Sequence, residues 1–148
     1  IESLMKGTSL SKSFTDIFGG SLYEKNGVIA GIKSSITFTE KTKFVFAINK
    51  GITSNIREEP YNVNNFVEES KRRVPFENMI YLGDGPSDIP CFSMIEKHGG
   101  SCIAINSKDV WTKKWEFELR SRKMNPLKPD YTKGSELRTK LELIISEI

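Results

Sequence analysis

Hydrophobic and polar positions follow two different periods along this chain, and the switches between them mark out its elements. Residues 1 to 17 read as a helical segment, with Leu4, Met5 and Leu10 on one side and Gly7 between them, leading to a strand near Ile17-Phe18. Ser21-Leu22-Tyr23-Glu24-Lys25 runs into Asn26-Gly27, a dipeptide that favours a two-residue hairpin turn, and Val28-Ile29-Ala30 is the return strand. Ile36 and Phe38 alternate with Ser35, Thr37 and Thr39, the period of a half-buried strand. The period then lengthens. Phe44, Val45 and Ile48 share one face of a helix that starts near Lys41 behind the cap Thr39 and stops at Gly51. Residues 52–59 read as loop, and a second helix is expected from Val63 to about Arg73, ended by Pro75.

Met79-Ile80-Tyr81-Leu82 is a short continuous apolar run followed at once by a glycine-rich turn, the pattern of a buried parallel strand ending in a functional loop. A short helix follows, with Pro90 in its first turn and Phe92, Met94 and Ile95 inside, then the break at Gly99-Gly100 and a strand over 101–105. After Lys108 comes a helix carrying Val110, Trp111, Trp115, Phe117 and Leu119, whose tryptophans are read as packing residues. Met124 to Tyr131, with two prolines, is a loop; Ser135 caps a last helix with Leu137, Leu141, Ile144, Ile145 and Ile148 at helical spacing. Two strand-then-helix units in succession predict a parallel sheet covered by helices.

Composition narrows the class. With 148 residues, 37% hydrophobic and 28% charged, the chain has the makings of one ordinary domain with a core. No stretch approaches the roughly 20 apolar residues that span a bilayer, and the opening residues lack the order of a signal peptide, so no membrane partner and a cytoplasmic location are expected. The absence of an initiator Met before Ile1 reads as a piece of a longer protein. A net charge of +3 is mild, and the basic residues are spread over several helices without interleaved aromatics, so no nucleic-acid partner is expected. Cys91 and Cys102 are too few for a disulfide framework and sit in no zinc-like spacing with His98.

The chemistry concentrates in Gly83-Asp84-Gly85-Pro86-Ser87-Asp88. Two carboxylates four residues apart at a strand's end can converge on a crevice above the sheet, and hard oxygen donors of this kind suit Mg²⁺ completed by water. The competing reading is an ordinary turn in which Asp88 caps the next helix. Lys41, at the start of a helix, and Lys50, at its end, are candidate positive groups.

Ile80-Tyr81-Leu82-Gly83-Asp84-Gly85-Pro86-Ser87-Asp88-Ile89-Pro90 resembles the fourth signature segment of the haloacid dehalogenase-like hydrolases, nearest to their phosphoserine-phosphatase-like branch. Thr39-Glu40-Lys41-Thr42-Lys43 and Ile48-Asn49-Lys50-Gly51 resemble the stretch around that branch's lysine. The resemblance implies an α/β fold: a three-layer Rossmann-like parallel sheet with helices on both faces, here lacking its first two strands. Residues 1–148 would be the C-terminal part of a single core domain with a small hairpin flap around 20–38. It implies a Mg²⁺-dependent phosphatase that hydrolyses phosphate monoesters through an aspartyl-phosphate, with the nucleophile in a missing N-terminal segment of the same protein. Asp84 would be a metal ligand, Asp88 a metal ligand with a catalytic part, and Lys41 the catalytic lysine, with Lys50 as runner-up. The substrate would be a small phosphorylated molecule. The alternative is a non-catalytic or regulatory domain that keeps the fold, or an inactive fragment.

Overall fold

The structure is a computed structural model that describes residues 5–106 and 113–148. The chain divides into two compact units, Ile1–Val67 and Glu68–Ile148, each described by itself.

In the first unit a 3-10 turn over Ser9–Ser13 precedes the antiparallel strands β1 (Ser21–Lys25) and β2 (Val28–Ser34). Asn26 and Gly27 sit at φ 55° and 77°, the left-handed pair that a tight hairpin turn demands and that glycine adopts without a Cβ penalty. Leu22 faces Ile32 and Tyr23 faces Gly31, with register shifts on either side of that pair. The Tyr23 ring covers Gly31 so closely that an added Cβ would lie 2.6 Å from its Cε1. No residue of either strand is buried. The core of this unit lies elsewhere, under helix α1 (Phe38–Lys50), where Phe44, Ala47 and Ile56 meet Phe18, Ile36, Ile52 and Val63. Phe18 stacks on Phe44 at 4.2 Å. Gly51, at φ 73°, ends α1 in the left-handed conformation that lets its N–H reach the Ala47 and Ile48 carbonyls.

Three local expectations change here. Ile17-Phe18 is not a strand; in the described part of residues 1–17, Met5 and Lys6 are helical and the 3-10 turn at Ser9–Ser13 follows them. The alternation around Ile36 and Phe38 does not make a strand, because Thr37 is the extended N-cap of α1 and Phe38 its first residue. The helix expected over Val63–Arg73 is replaced by 3-10 turns at Pro60–Asn64 and Glu69–Lys71. Lys50 explains part of this: its Nζ donates to the carbonyls of Val63 and Asn65, both at 2.7 Å, and so holds that backbone in a turn.

In the second unit β3 (Ile80–Gly83) and β4 (Ser101–Ala104) pair in parallel, joined by helix α2 (Ile89–Lys97). An isolated parallel bridge between Ile105 and Leu127 extends the ladder by one point. Side chains alternate across the pair. Tyr81, Cys102 and Ala104 face Phe92 of α2 together with Trp115 and Leu119 of helix α3 (Lys113–Ser121). Ile80, Leu82 and Ile103 face Leu137, Leu141 and Ile144 of helix α4 (Glu136–Glu147). Ser135 caps α4 by accepting from the Arg138 N–H at 3.3 Å. Just upstream, the exposed Asp130 accepts from the side chain and backbone of Thr132, which lowers its carboxyl pKa.

The expected three-layer Rossmann-like sheet is therefore not the architecture. Among the described residues there are two small separate sheets of two strands each, one antiparallel and one parallel. A local strand–loop–helix–strand unit is present, but among the described residues there is no continuous sheet that would carry the haloacid dehalogenase-like core. That removes the structural ground for placing the chain in that superfamily.

Candidate functional site

The loop after β3 is organised by Asp88. Its carboxylate is buried, and both oxygens are engaged: Oδ2 accepts from the Asp84 and Gly85 N–H groups, each at 3.1 Å, and Oδ1 accepts from the Tyr81 hydroxyl at 2.8 Å. Charge-assisted bonds of this kind are stronger than neutral ones, and burial raises the cost of losing them. The loop closes further through the Asp88 N–H, which donates to the Gly85 carbonyl at 3.0 Å. Gly83 has a packing reason to be glycine, since a Cβ there would come within 2.6 Å of the Asp88 Cβ and 2.8 Å of the Phe92 Cζ. Tyr81 responds in its own titration. Burial, then the bond to Asp88, push its hydroxyl pKa far above the ordinary 10.0, so it remains a donor.

Asp84 stands in the opposite condition. It is exposed at the carboxyl end of β3, and its carboxylate makes no hydrogen bond or ion pair among the described residues. Ser87 is exposed two residues before the start of α2. The neighbouring thiols are quiet: Cys91 is fully buried, and burial, then Glu96, push Cys102 up to about 12.

Lys41 and Lys50 belong to the first unit and Asp84 and Asp88 to the second. Lys41 lies half-buried in the first turn of α1, whereas Lys50 is committed to the two carbonyls named above. Among the described residues no group of three or more His, Cys, Asp or Glu side chains gathers to hold a metal. The donor set at the loop is one exposed carboxylate. That does not suit zinc or a calcium cage, but it fits Mg²⁺, which keeps most of its waters and takes one or two carboxylates. Trp111 and Val110 lie outside the described residues.

No protein-family model matches the chain, and no solved structure matches it. A curated protein of Borreliella burgdorferi (strain ATCC 35210 / DSM 4680 / CIP 102532 / B31), described as an uncharacterized protein, is 32% identical over 119 residues. That similarity covers 78% of this chain and 39% of the relative, so the chain spans about two fifths of the length of the curated protein it matches. No helix among the described residues is long and apolar enough to cross a membrane.

The reading as a Mg²⁺-dependent phosphatase acting through an aspartyl-phosphate falls with the fold on which it rested, as does the alternative of a silent domain retaining that fold. The sheets are the wrong number and kind. The sequence motif drew attention to Asp88 as a chemical group and missed Tyr81, whose bond to Asp88 is the signal that this carboxylate organises the loop. The apolar run 79–82 had marked Tyr81 as core only.

Proposed function

We propose that the second unit is a binding module, in which Asp84 holds a hydrated Mg²⁺ through which a small phosphorylated molecule docks at the carboxyl end of β3. The observation that carries this reading is the division of labour between the two carboxylates. Asp88 turns inward and fixes the loop by both oxygens, while Asp84 is exposed at the strand's end. The carboxyl ends of parallel strands are the usual place for ligands in open α/β sheets. A cation held by one carboxylate retains coordination positions for phosphate oxygens.

Mn²⁺ serves as a paramagnetic stand-in for the test. Substoichiometric Mn²⁺ is expected to broaden the amide signals of 83–88 first, excess Mg²⁺ to restore them, and Asp84→Asn to weaken the effect at least tenfold, about 1.4 kcal/mol. Inorganic phosphate should tighten Mn²⁺ binding in the unsubstituted chain. Broadening spread over the surface, or an unchanged response in Asp84→Asn, overturns the proposal.

A further inference from the structure

The second unit has a cavity of about 190 Å³ at the carboxyl-terminal end of α2, the end away from the Asp84 loop. Three segments form it. Glu69 and Arg72 come from the 3-10 turn at Glu69–Lys71 and the residue after it, Pro75, Phe76 and Glu77 from a second such turn at Phe76–Asn78 and its cap, and His98 ends α2. At about 30 Å³ per water the space equals roughly six waters. That is room for a molecule of a few heavy atoms, and less than a nucleotide or a sugar phosphate needs.

The lining holds unspent hydrogen-bonding capacity of both kinds. Arg72 is half-buried, and Oε1 of the largely exposed Glu69 lies 3.6 Å from its Nη1, close enough for an ion pair but too far for a hydrogen bond. Its Nε is buried with no acceptor among the described residues. A guanidinium carries five N–H donors, and leaving them unmade away from water is costly. On the acceptor side, Glu77 is exposed, and its carboxylate makes no hydrogen bond or ion pair among the described residues. The His98 Nδ1 donates to the Met94 carbonyl at 2.7 Å; a carbonyl only accepts, so in the neutral ring Nδ1 has the proton and Nε2 keeps a lone pair. Phe76 holds the same ring at 4.8 Å between centres. The last carbonyls of α2 add a partial negative charge beside it, which favours a cation.

A guanidinium matches a carboxylate, and a carboxylate with an imidazole nitrogen matches an ammonium. With Arg72 balanced by Glu69, Glu77 leaves the lining net negative, which opposes a plain anion, whereas a zwitterion brings its own cation to it. We propose that this cavity binds a small amino acid, whose carboxylate accepts from Arg72 and whose ammonium donates to Glu77 and to the His98 Nε2. The full chain, labelled with ¹⁵N, would be titrated at neutral pH with glycine, potassium acetate and methylammonium chloride, the ionic strength held constant with potassium chloride. Saturable shifts confined to the amides of 69–78 and 97–99 are expected with glycine, and each half-molecule should bind roughly tenfold or more weakly. Glu77→Gln, an exposed substitution, should weaken glycine by a similar factor and leave acetate no weaker. His98→Phe keeps a ring against Phe76 and should also weaken glycine. Arg72→Gln should weaken glycine and acetate alike. No saturable shift with glycine, acetate binding as tightly as glycine, a Glu77→Gln chain that binds glycine as before, or shifts that potassium chloride alone reproduces, each overturn the proposal.

Discussion

The two sheets among the described residues have the same number of strands and are held in place by different means. The β1–β2 ribbon is made by its turn. Asn26 and Gly27 set the chain reversal and the Tyr23 ring closes over Gly31, yet Leu22, Ile29 and Ile32 remain 56%, 66% and 70% exposed. The β3–β4 pair is made by its faces. Ile103 within it and Phe92, Trp115 and Leu137 around it are all essentially fully buried. A two-stranded hairpin alone is marginal in water, whereas a short parallel pair, which lacks any tight turn, exists only where helices cover it. The difference teaches where each segment's specification resides: in two adjacent residues for the ribbon, and in partners up to dozens of residues away for the parallel pair.

Truncation should separate the two most sharply. Phe92 packs edge-on against Tyr81 at 5.6 Å and stacks with Trp115 at 6.3 Å, and Phe92→Ala is expected to cost the second unit roughly 3–5 kcal/mol in denaturant unfolding. A loss as small as that of a surface residue would break the comparison. Next comes the loop clasp. Asp88→Ala leaves the Asp84 and Gly85 N–H groups and the Tyr81 hydroxyl without their acceptor, and about 1–3 kcal/mol should be lost. Asp88→Asn, which keeps one acceptor oxygen, should lose less in the same urea titration.

Alkaline pH should distinguish the units without substitution. The folded second unit retains the Tyr81 and Cys102 protons above their ordinary values of 10.0 and 9.0, burial being the larger cause for both. The unfolded chain releases them there, so it gains free energy as pH rises. Their contribution to stability is therefore complete below about pH 9 and declines above it. Hydrogen exchange of β3 and β4 should accelerate over that range beyond the intrinsic increase, and Tyr81→Phe should flatten the decline above pH 10. The smallest effect belongs to the ribbon: Ile32→Thr, on an exposed face, should change stability by no more than about 0.5 kcal/mol. A loss of several kcal/mol would mean that the ribbon's face is covered in solution.

What could be read from the sequence follows the same division. The Asn26-Gly27 hairpin, the Gly51 stop, the strand before the acidic loop, the helix through Phe92 and the Ser135 cap are local signals, and the structure has each of them. Part of the reason the Val63–Arg73 helix is absent is that Lys50, more than ten residues away, takes two carbonyls at the start of that stretch. Strand count failed for a similar reason. The sequence around Gly83 encodes a strand, a turn and a helix, but how many strands a sheet gathers depends on remote pairing, and among the described residues it stops at two. At the site, the positions of Asp84 and Asp88 on one loop were legible. The burial that gives them different environments depends on Tyr81 and Phe92, and spacing alone does not convey it.

The two cysteines have a practical consequence for anyone wishing to measure distances in this molecule. Cys91 is sealed off, and Cys102, with its thiol at about 12, donates weakly to the Phe92 carbonyl at 3.7 Å. Near pH 7 the Cys102 thiol therefore stays protonated, and the thiolate is the reactive form. Maleimide dyes and nitroxide spin labels should therefore pass over both native cysteines while the chain is folded. A cysteine introduced at Ser87, or at Thr8 in the other unit, would become the preferred attachment point without any prior removal of the natural pair.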